Sequence, residues 1–181
     1  FKTNGAEENS FDPIVASGPN SSIPHWKPSN RKIQMADPIL IDMGCKYKGY
    51  CSDMTRTIFM GCLLEEIKPI YDLVLKNQKN VLEEARSNYN IKTLSRMVDD
   101  SFRFNNYTLI HGLGHGVGLE IHEMPNINSK SESFLKENMV VTDEPGIYLP
   151  GRYGIRIEDT VLITKTECIS LTKSSKEYVV I

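Results

Sequence analysis

An α+β fold is what this sequence predicts, and three observations carry the expectation. Two stretches rich in β-formers, 39–59 and 138–164, each hold turn residues near their middle. Between them, Ile67, Ile70, Tyr71, Val74, Leu75, Val81, Leu82 and Ala85 recur at intervals of three and four, the period of a helix over 65–86. The 181 residues suit one domain or most of one, taken as 1–181.

The elements follow in chain order. Residues 1–10 are polar and turn-prone, a frayed end or a connection. Ile14 to Ser17 is a short strand closed by Gly18-Pro19-Asn20. A loop rich in Pro, Ser and Asn runs over 18–32 and carries His25 and the only tryptophan, Trp26. Ile39-Leu40-Ile41 leads as a strand into Asp42, and Tyr50 to Phe59 returns, with Lys46-Tyr47-Lys48-Gly49 as the hairpin turn. Pro69 suits the first turn of the 65–86 helix. A weaker helix takes Thr93 as N-cap and runs through Leu94, Met97, Val98 and Phe102. The run His111-Gly112-Leu113-Gly114-His115-Gly116-Val117-Gly118 is too glycine-dense for a helix and points to close backbone approach. Two last strands, 138–149 and 155–164, are joined by Pro150-Gly151-Arg152-Tyr153-Gly154.

Composition excludes several function classes. Lys and Arg number 21 against 23 Asp and Glu, so a net charge of −2 gives no general pull toward nucleic acid or anionic lipid. No apolar run approaches the roughly 18 residues of a membrane helix, and nothing N-terminal reads as a secretory signal. Cys45, Cys51, Cys62 and Cys168 form no C-x-x-C pair and read as reduced thiols of a cytoplasmic protein. A bridge between Cys45 and Cys51 across the hairpin stays open. The chain begins at Phe1, so it reads as processed or as a piece of something longer.

Paired carboxylates stand out. Asp42 and Asp53 are 11 apart, with their midpoint between Tyr47 and Lys48. A turn centred there would oppose them across the ladder, with Cβ atoms about 4.5–5.5 Å apart. A bulge at Gly49 would shift that pairing by one. Glu144 and Glu158 are 14 apart, symmetric about Gly151. Like charges so placed need a shared proton or a cation. With His115 the set is oxygen-dominated and suits Mn²⁺, Co²⁺, Fe²⁺ or Zn²⁺. Five ligands suit two ions about 3.5–4 Å apart, as in two-metal hydrolases. His122 lies 7 beyond His115, on the opposite face of a straight strand, and is assigned to substrate. Taken singly, each residue has a plainer reading as a strand charge, a loop or core histidine, or a surface cation. The joint pattern overturns those readings.

Ile41-Asp42, the run Tyr50 to Thr57, His111 to Leu119, Glu144-Pro145-Gly146-Ile147-Tyr148 and Arg156-Ile157-Glu158-Asp159 closely resemble the Xaa-Pro peptidases, prolidase and aminopeptidase P. These are relatives of methionine aminopeptidase with the pita-bread fold, a curved antiparallel sheet flanked by helices. Phe11 to Gly18 and Pro24-His25 share the likeness, which covers nearly the whole chain in order. The resemblance implies two divalent metal ions, Mn²⁺ first, held by Asp42, Asp53, His115, Glu144 and Glu158. A bridging hydroxide would attack the scissile carbonyl, with Glu144 as general base. His25 and His122 would stabilise the tetrahedral intermediate and bind the substrate backbone. His111 would sit near the proline side of the pocket, and Arg156 would hold a carboxylate in place. The implied partner is a proline-containing peptide, and the implied assembly a homodimer of the full-length parent.

Three departures accompany the likeness. Asp143 replaces an aliphatic residue before Glu-Pro-Gly, where it would alter the site's electrostatics or face solvent. Met35-Ala36-Asp37-Pro38 replaces a Lys-Gly-Asp entry to the first metal strand. The family's leading helices and its separate N-terminal domain are expected to be missing, so activity belongs to the parent and is left open for the fragment. Three other readings stand beside the peptidase. Methionine aminopeptidase is disfavoured by the Arg156 to Asp159 context and the Pro150-Gly151 turn. A non-catalytic module on the same fold would have lost metal ligands. A creatinase-like amidinohydrolase would work without metals.

Overall fold

The computed structural model describes all 181 residues. The strands and helices are β1 (Glu8–Asn9), β2 (Ile14–Ser17), β3 (Pro38–Met43), β4 (Cys45–Tyr47), β5 (Tyr50–Cys51), β6 (Met54–Phe59), α1 (Lys68–Glu84), α2 (Ile91–Phe104), β7 (Gly114–Gly116), β8 (Glu123–Ile127), β9 (Val140–Asp143), β10 (Gly146–Leu149), β11 (Tyr153–Arg156), β12 (Asp159–Ile163) and β13 (Cys168–Ser170). Four antiparallel sheets result, in the orders β1-β4-β5, β2-β3-β6, β10-β11 and β13-β12-β9-β7-β8.

The helix expected over 65–86 spans Lys68–Glu84 and carries Pro69 in its first turn. There the missing N–H costs no intrahelical bond. Its apolar stripe, Ile70, Tyr71, Val74 and Val81, is buried. The second helix begins three residues earlier than expected. Asn90, extended at φ −73° and ψ 123°, is the cap, and its Oδ1 accepts from the Thr93 N–H. Thr93 is thus the capped residue, because a carboxamide one turn upstream reaches the orphan amide first. Both helices share a core with the sheets that includes Phe59, Tyr71, Leu94, Val98, Phe102, Ile155, Ile157 and Val161. Burying a side chain of this size contributes about 1.5–3 kcal/mol. The face of the sheets away from this core bears the candidate site.

The first hairpin differs from its expected register. Lys48 and Gly49 both take positive φ, 50° and 80°, making a two-residue turn whose twist matches the flanking strands. The turn centre therefore moves one residue along. Asp42 pairs with Thr55, not Asp53, and Lys46 pairs with Cys51. No bulge is involved. Because sheet faces alternate with period two, a partner shift of two residues keeps Asp42 and Asp53 on one face as diagonal neighbours. The same register sends Cys45 and Cys51 to opposite faces, and all four cysteines are free.

The second hairpin matches its expected symmetry. Gly146 pairs with Arg156 and Asp143 with Asp159, so Glu144 and Glu158 face each other between these two pairings. Each long strand is nevertheless broken there, since Glu144-Pro145 and Ile157-Glu158 are where the chain passes from one sheet to another. The strands β8 and β13 were not anticipated. The glycine-rich run does bring backbones together. A Cβ on Gly114 would lie 2.1 Å from the Thr142 carbonyl oxygen, and one on Gly116 2.4 Å from that of Met124.

Candidate metal centre

One cavity of about 460 Å³ is lined by all nine residues singled out in the sequence: His25, Asp42, Asp53, His111, His115, His122, Glu144, Arg156 and Glu158. Ligating atoms of Asp53, His115 and Glu158 lie within 4.8 Å of one another. His115 Nε2 is 3.5 Å from Asp53 Oδ2 and 3.7 Å from Glu144 Oε1. Asp42 is held at its Oδ2 by an Arg156 guanidinium nitrogen at 2.6 Å. Each of the four carboxylates comes from the end of a strand or the step between two sheets, and His115 from the middle of β7.

Four of the five candidate ligands, all but Asp53, are oriented by a second residue. The Thr55 hydroxyl donates to Glu158 Oε2 at 2.6 Å and accepts from Arg156 Nε at 3.0 Å. The Thr142 hydroxyl accepts the His115 N–H at 3.0 Å and donates to Glu144 Oε1 at 3.2 Å. His115 Nδ1 lies 3.0 Å from the Gly116 carbonyl oxygen, so Nδ1–H donates there and Nε2 faces the carboxylates as a ligand should. Sequence reading missed both threonines, although each sits two residues from a carboxylate and therefore on its face. Thr55→Val is expected to leave the fold intact and to weaken divalent metal binding by about 10–100-fold, the usual consequence of losing such an outer partner. Calorimetric titration with Mn²⁺ checks this, with Thr55→Ser retaining affinity.

The electrostatics fit a cation. Burial raises Glu158 well above the usual carboxyl range, and Glu144, Asp53 and Asp42 add to it. Burial also pushes Glu144 up to about 7 and Asp42 up to about 6, even against the nearby Arg156. Burial pulls His115 down, but the Asp53 contact, the Gly116 carbonyl and the Glu144 charge outweigh it and leave its pKa raised. Two buried oxygens, Asp42 Oδ1 and Asp53 Oδ1, have no hydrogen-bond partner. Four carboxylates around one arginine, with orphaned oxygens among them, are the donor set that divalent ions satisfy.

The histidines divide by geometry. The His122 ring lies 4.4 Å from that of His115. The spacing argument for an opposite face fails, because the β7–β8 register shifts after His115 and the chain turns before β8. His122 still lies outside the close ligand group and lines the cavity. Burial and the neighbouring His115 lower its pKa, which favours the neutral imidazole. His25 is exposed in its loop. His111 has both nitrogens engaged, Nδ1 with the Gly112 carbonyl at 2.7 Å and Nε2 with the Tyr148 hydroxyl at 2.9 Å. Burial, then Arg156 and His25, lowers it to about 4. Tyr148, unnoticed in the sequence, also accepts from Arg156 at 2.8 Å and so links the two.

Asp143 neither faces solvent nor joins the cage. It points to the far side of its strand, 1% exposed, opposite Asp159 and under α1, with neither oxygen partnered. Burial, then Asp159, raises its pKa well above the usual carboxyl range, which favours the protonated acid. Asp159 there is satisfied by Arg56 and Lys176. At the entrance to β3, Asp37 pairs with Arg31 at 2.7 Å, and Pro38 opens the strand.

The family model described as Metallopeptidase family M24 matches residues 1–165. The chain is 47% identical over 180 residues to an Xaa-Pro dipeptidase of Pyrococcus furiosus, covering 98% of this chain and 51% of that protein. Among solved structures it is similar to a prolidase from Pyrococcus furiosus, with TM-score 0.93, 46% identity and coverage of 96% of this chain and 52% of that one. It is also similar to an X-Pro aminopeptidase from Thermotoga maritima, with TM-score 0.96, 40% identity and coverage of 99% and 51%. The chain spans about half the length of the relatives it matches.

Proposed function

The chain belongs to metallopeptidase family M24, and from that membership we propose that it carries the metal centre of an enzyme hydrolysing Xaa-Pro peptide bonds. It shares the pita-bread fold of its prolidase and aminopeptidase relatives. We read residues 1–181 as part of the catalytic domain. The observation that carries the reading is the convergence of Asp53, His115 and Glu158 within 4.8 Å, with Glu144 and Asp42 on the same cavity.

Asp42, Asp53, His115, Glu144 and Glu158 would hold two divalent ions, Mn²⁺ by preference. Bound there, the ions would supply polarisation of the scissile carbonyl and acidification of water. The chain's own residues do the rest. Glu144 takes up and returns a proton at Oε2, the oxygen that Thr142 leaves free. Thr55 and Arg156 hold Glu158 and Asp42 so that neither swings out. His122, neutral and exposed beside His115, donates to the developing oxyanion, and His25 reaches the same space from its loop. His111 contributes through Tyr148 and its ring edge, since both its nitrogens are occupied. The tertiary amide before proline has no N–H, so catalysis cannot depend on gripping one. Four free thiols and no helix long and apolar enough to cross a membrane are compatible with cytoplasmic residence. A homodimer is the assembly that the family resemblance suggests.

The test uses full-length protein stripped with chelator. Two equivalents of Mn²⁺ are expected to restore cleavage of Ala-Pro-Ala, with Met-Ala turned over at least ~100-fold more slowly. Absence of metal-dependent turnover would end the reading, and a preference for Met-Ala would replace it with methionine aminopeptidase.

A further inference from the structure

Building on the Xaa-Pro reading, we propose that the site is made for peptides that continue beyond the proline, and that a free Xaa-Pro dipeptide is a poor substrate because no lysine or arginine of these 181 residues is free in the cavity to receive its carboxylate. In a dipeptide that carboxylate is attached to the proline Cα and must enter the cavity with the scissile bond. A desolvated carboxylate needs a charged partner, most effectively a bidentate guanidinium.

Arg156 is the only lysine or arginine lining the cavity. It is 2% exposed, and each of its three nitrogens already holds a partner. One guanidinium nitrogen holds Asp42 at 2.6 Å, Nε holds Thr55 at 3.0 Å, and the other nitrogen holds Tyr148 at 2.8 Å. Turning it toward a substrate would release a candidate metal ligand. His111 is no substitute, being neutral and hydrogen-bonded at both nitrogens.

The wall beside His122 carries carboxamides instead. Asn126 is the cross-strand partner of His115 on β8, so the two side chains share a face. Asn126 is exposed, and its sole hydrogen bond is a 3.6 Å contact with Met124 Sδ. Asn128, two residues on, lines the same cavity. A carboxamide offers both donors and an acceptor, which complements a peptide group and not a carboxylate.

The experiment compares kcat/KM of the Mn²⁺-loaded full-length protein on Ala-Pro, Ala-Pro-NH₂ and Ala-Pro-Ala. The amide removes the charge without adding a residue. Ala-Pro-NH₂ and Ala-Pro-Ala, neither of which carries a carboxylate on the proline itself, are both expected to exceed Ala-Pro by at least tenfold. Asn126→Arg, which places a guanidinium beside His115, is expected to raise Ala-Pro turnover relative to Ala-Pro-NH₂ by at least tenfold. Ala-Pro equal to or better than Ala-Pro-NH₂ in the unaltered protein would overturn the inference while leaving the peptidase reading intact. So would a tripeptide preference in which Ala-Pro-NH₂ is as poor as Ala-Pro, since length and not charge would then decide. Failure to cleave all three would instead sink the Xaa-Pro reading, and the inference with it.

Discussion

Glu144→Gln should lower kcat of the full-length protein by at least ~10³ and at the same time make the metal-free chain more stable. The catalytic loss follows from position. Glu144 faces Glu158 across the second hairpin, and its Oε1 lies 3.7 Å from His115 Nε2, so it can ligate and also relay a proton. A positioned acid–base group contributes about 10²–10⁴-fold, and weakened metal binding adds to that. The stability gain follows from the repulsion among the clustered carboxylates, the same repulsion that suits the site to a cation. Glu144 is pushed up to about 7, so at pH 8 the folded chain ionises a carboxyl that resists it. At about 1.4 kcal/mol per pH unit, a displacement of this size costs on the order of 3 kcal/mol. A neutral isostere removes that cost. For a domain of this length about 1 kcal/mol moves Tm by about 2–4 °C, so melting in chelator should rise by at least ~5 °C. Calorimetry of the metal-free variant and steady-state assay of the loaded one check the two halves separately. Turnover within tenfold of the unaltered protein would remove Glu144 from the reaction. A lower metal-free Tm would show that the carboxylates do not strain the fold.

What the sequence disclosed about this site depends on how local the determining geometry is. The Glu144 and Glu158 pairing was legible because its turn is symmetric about Gly151 and the same register holds on both sides of the strand break, from Leu149–Tyr153 to Gly146–Arg156 and again at Asp143–Asp159. The Asp42 and Asp53 pairing was misjudged by one step of the turn. Lys48 at φ 50° is a conformation that a lysine does not advertise, and it moved the centre to Lys48-Gly49. The shared face survived because a two-residue slip preserves alternation.

Contacts across long separations were the least legible. Thr55 reaches Glu158 across 103 residues, yet period two alone would have marked it as a neighbour of Asp53. His122 was placed by a turn and a register shift that a straight-strand argument could not include. Asp143 lies beneath a helix whose Gln78 bonds Asp159 from 81 residues away, and nothing near Asp143 in sequence announces that cover.

The metal-free chain is expected to be most stable near pH 5 and to lose stability steadily toward pH 8, and Mn²⁺ should reverse that slope. Asp42 and Glu144 have folded pKa values of about 6 and about 7, above the values near 4 of an unfolded chain, and Glu158 lies well above its own. A carboxyl that binds its proton more tightly when folded adds stability that is complete below about pH 4 and vanishes as pH climbs through the folded pKa. The ionic pair at the β3 entrance acts in the opposite sense. Burial works against Asp37, but the Arg31 hydrogen bond and the Gln34 amide outweigh it and hold its pKa low, so that contribution exists only above about pH 4 and disappears in acid. Between these limbs lies the maximum. Divalent ions need the carboxylates deprotonated, so their binding strengthens over the range in which the metal-free chain weakens. At a free concentration a thousand times Kd they add about 4 kcal/mol, enough to offset the repulsion. Melting curves at pH 5, 6, 7 and 8, in chelator and in Mn²⁺, should therefore slope in opposite directions. Parallel curves would mean that metal and protons do not compete for the same oxygens, and the cage formed by Asp42, Asp53, Glu144 and Glu158 would lose its role.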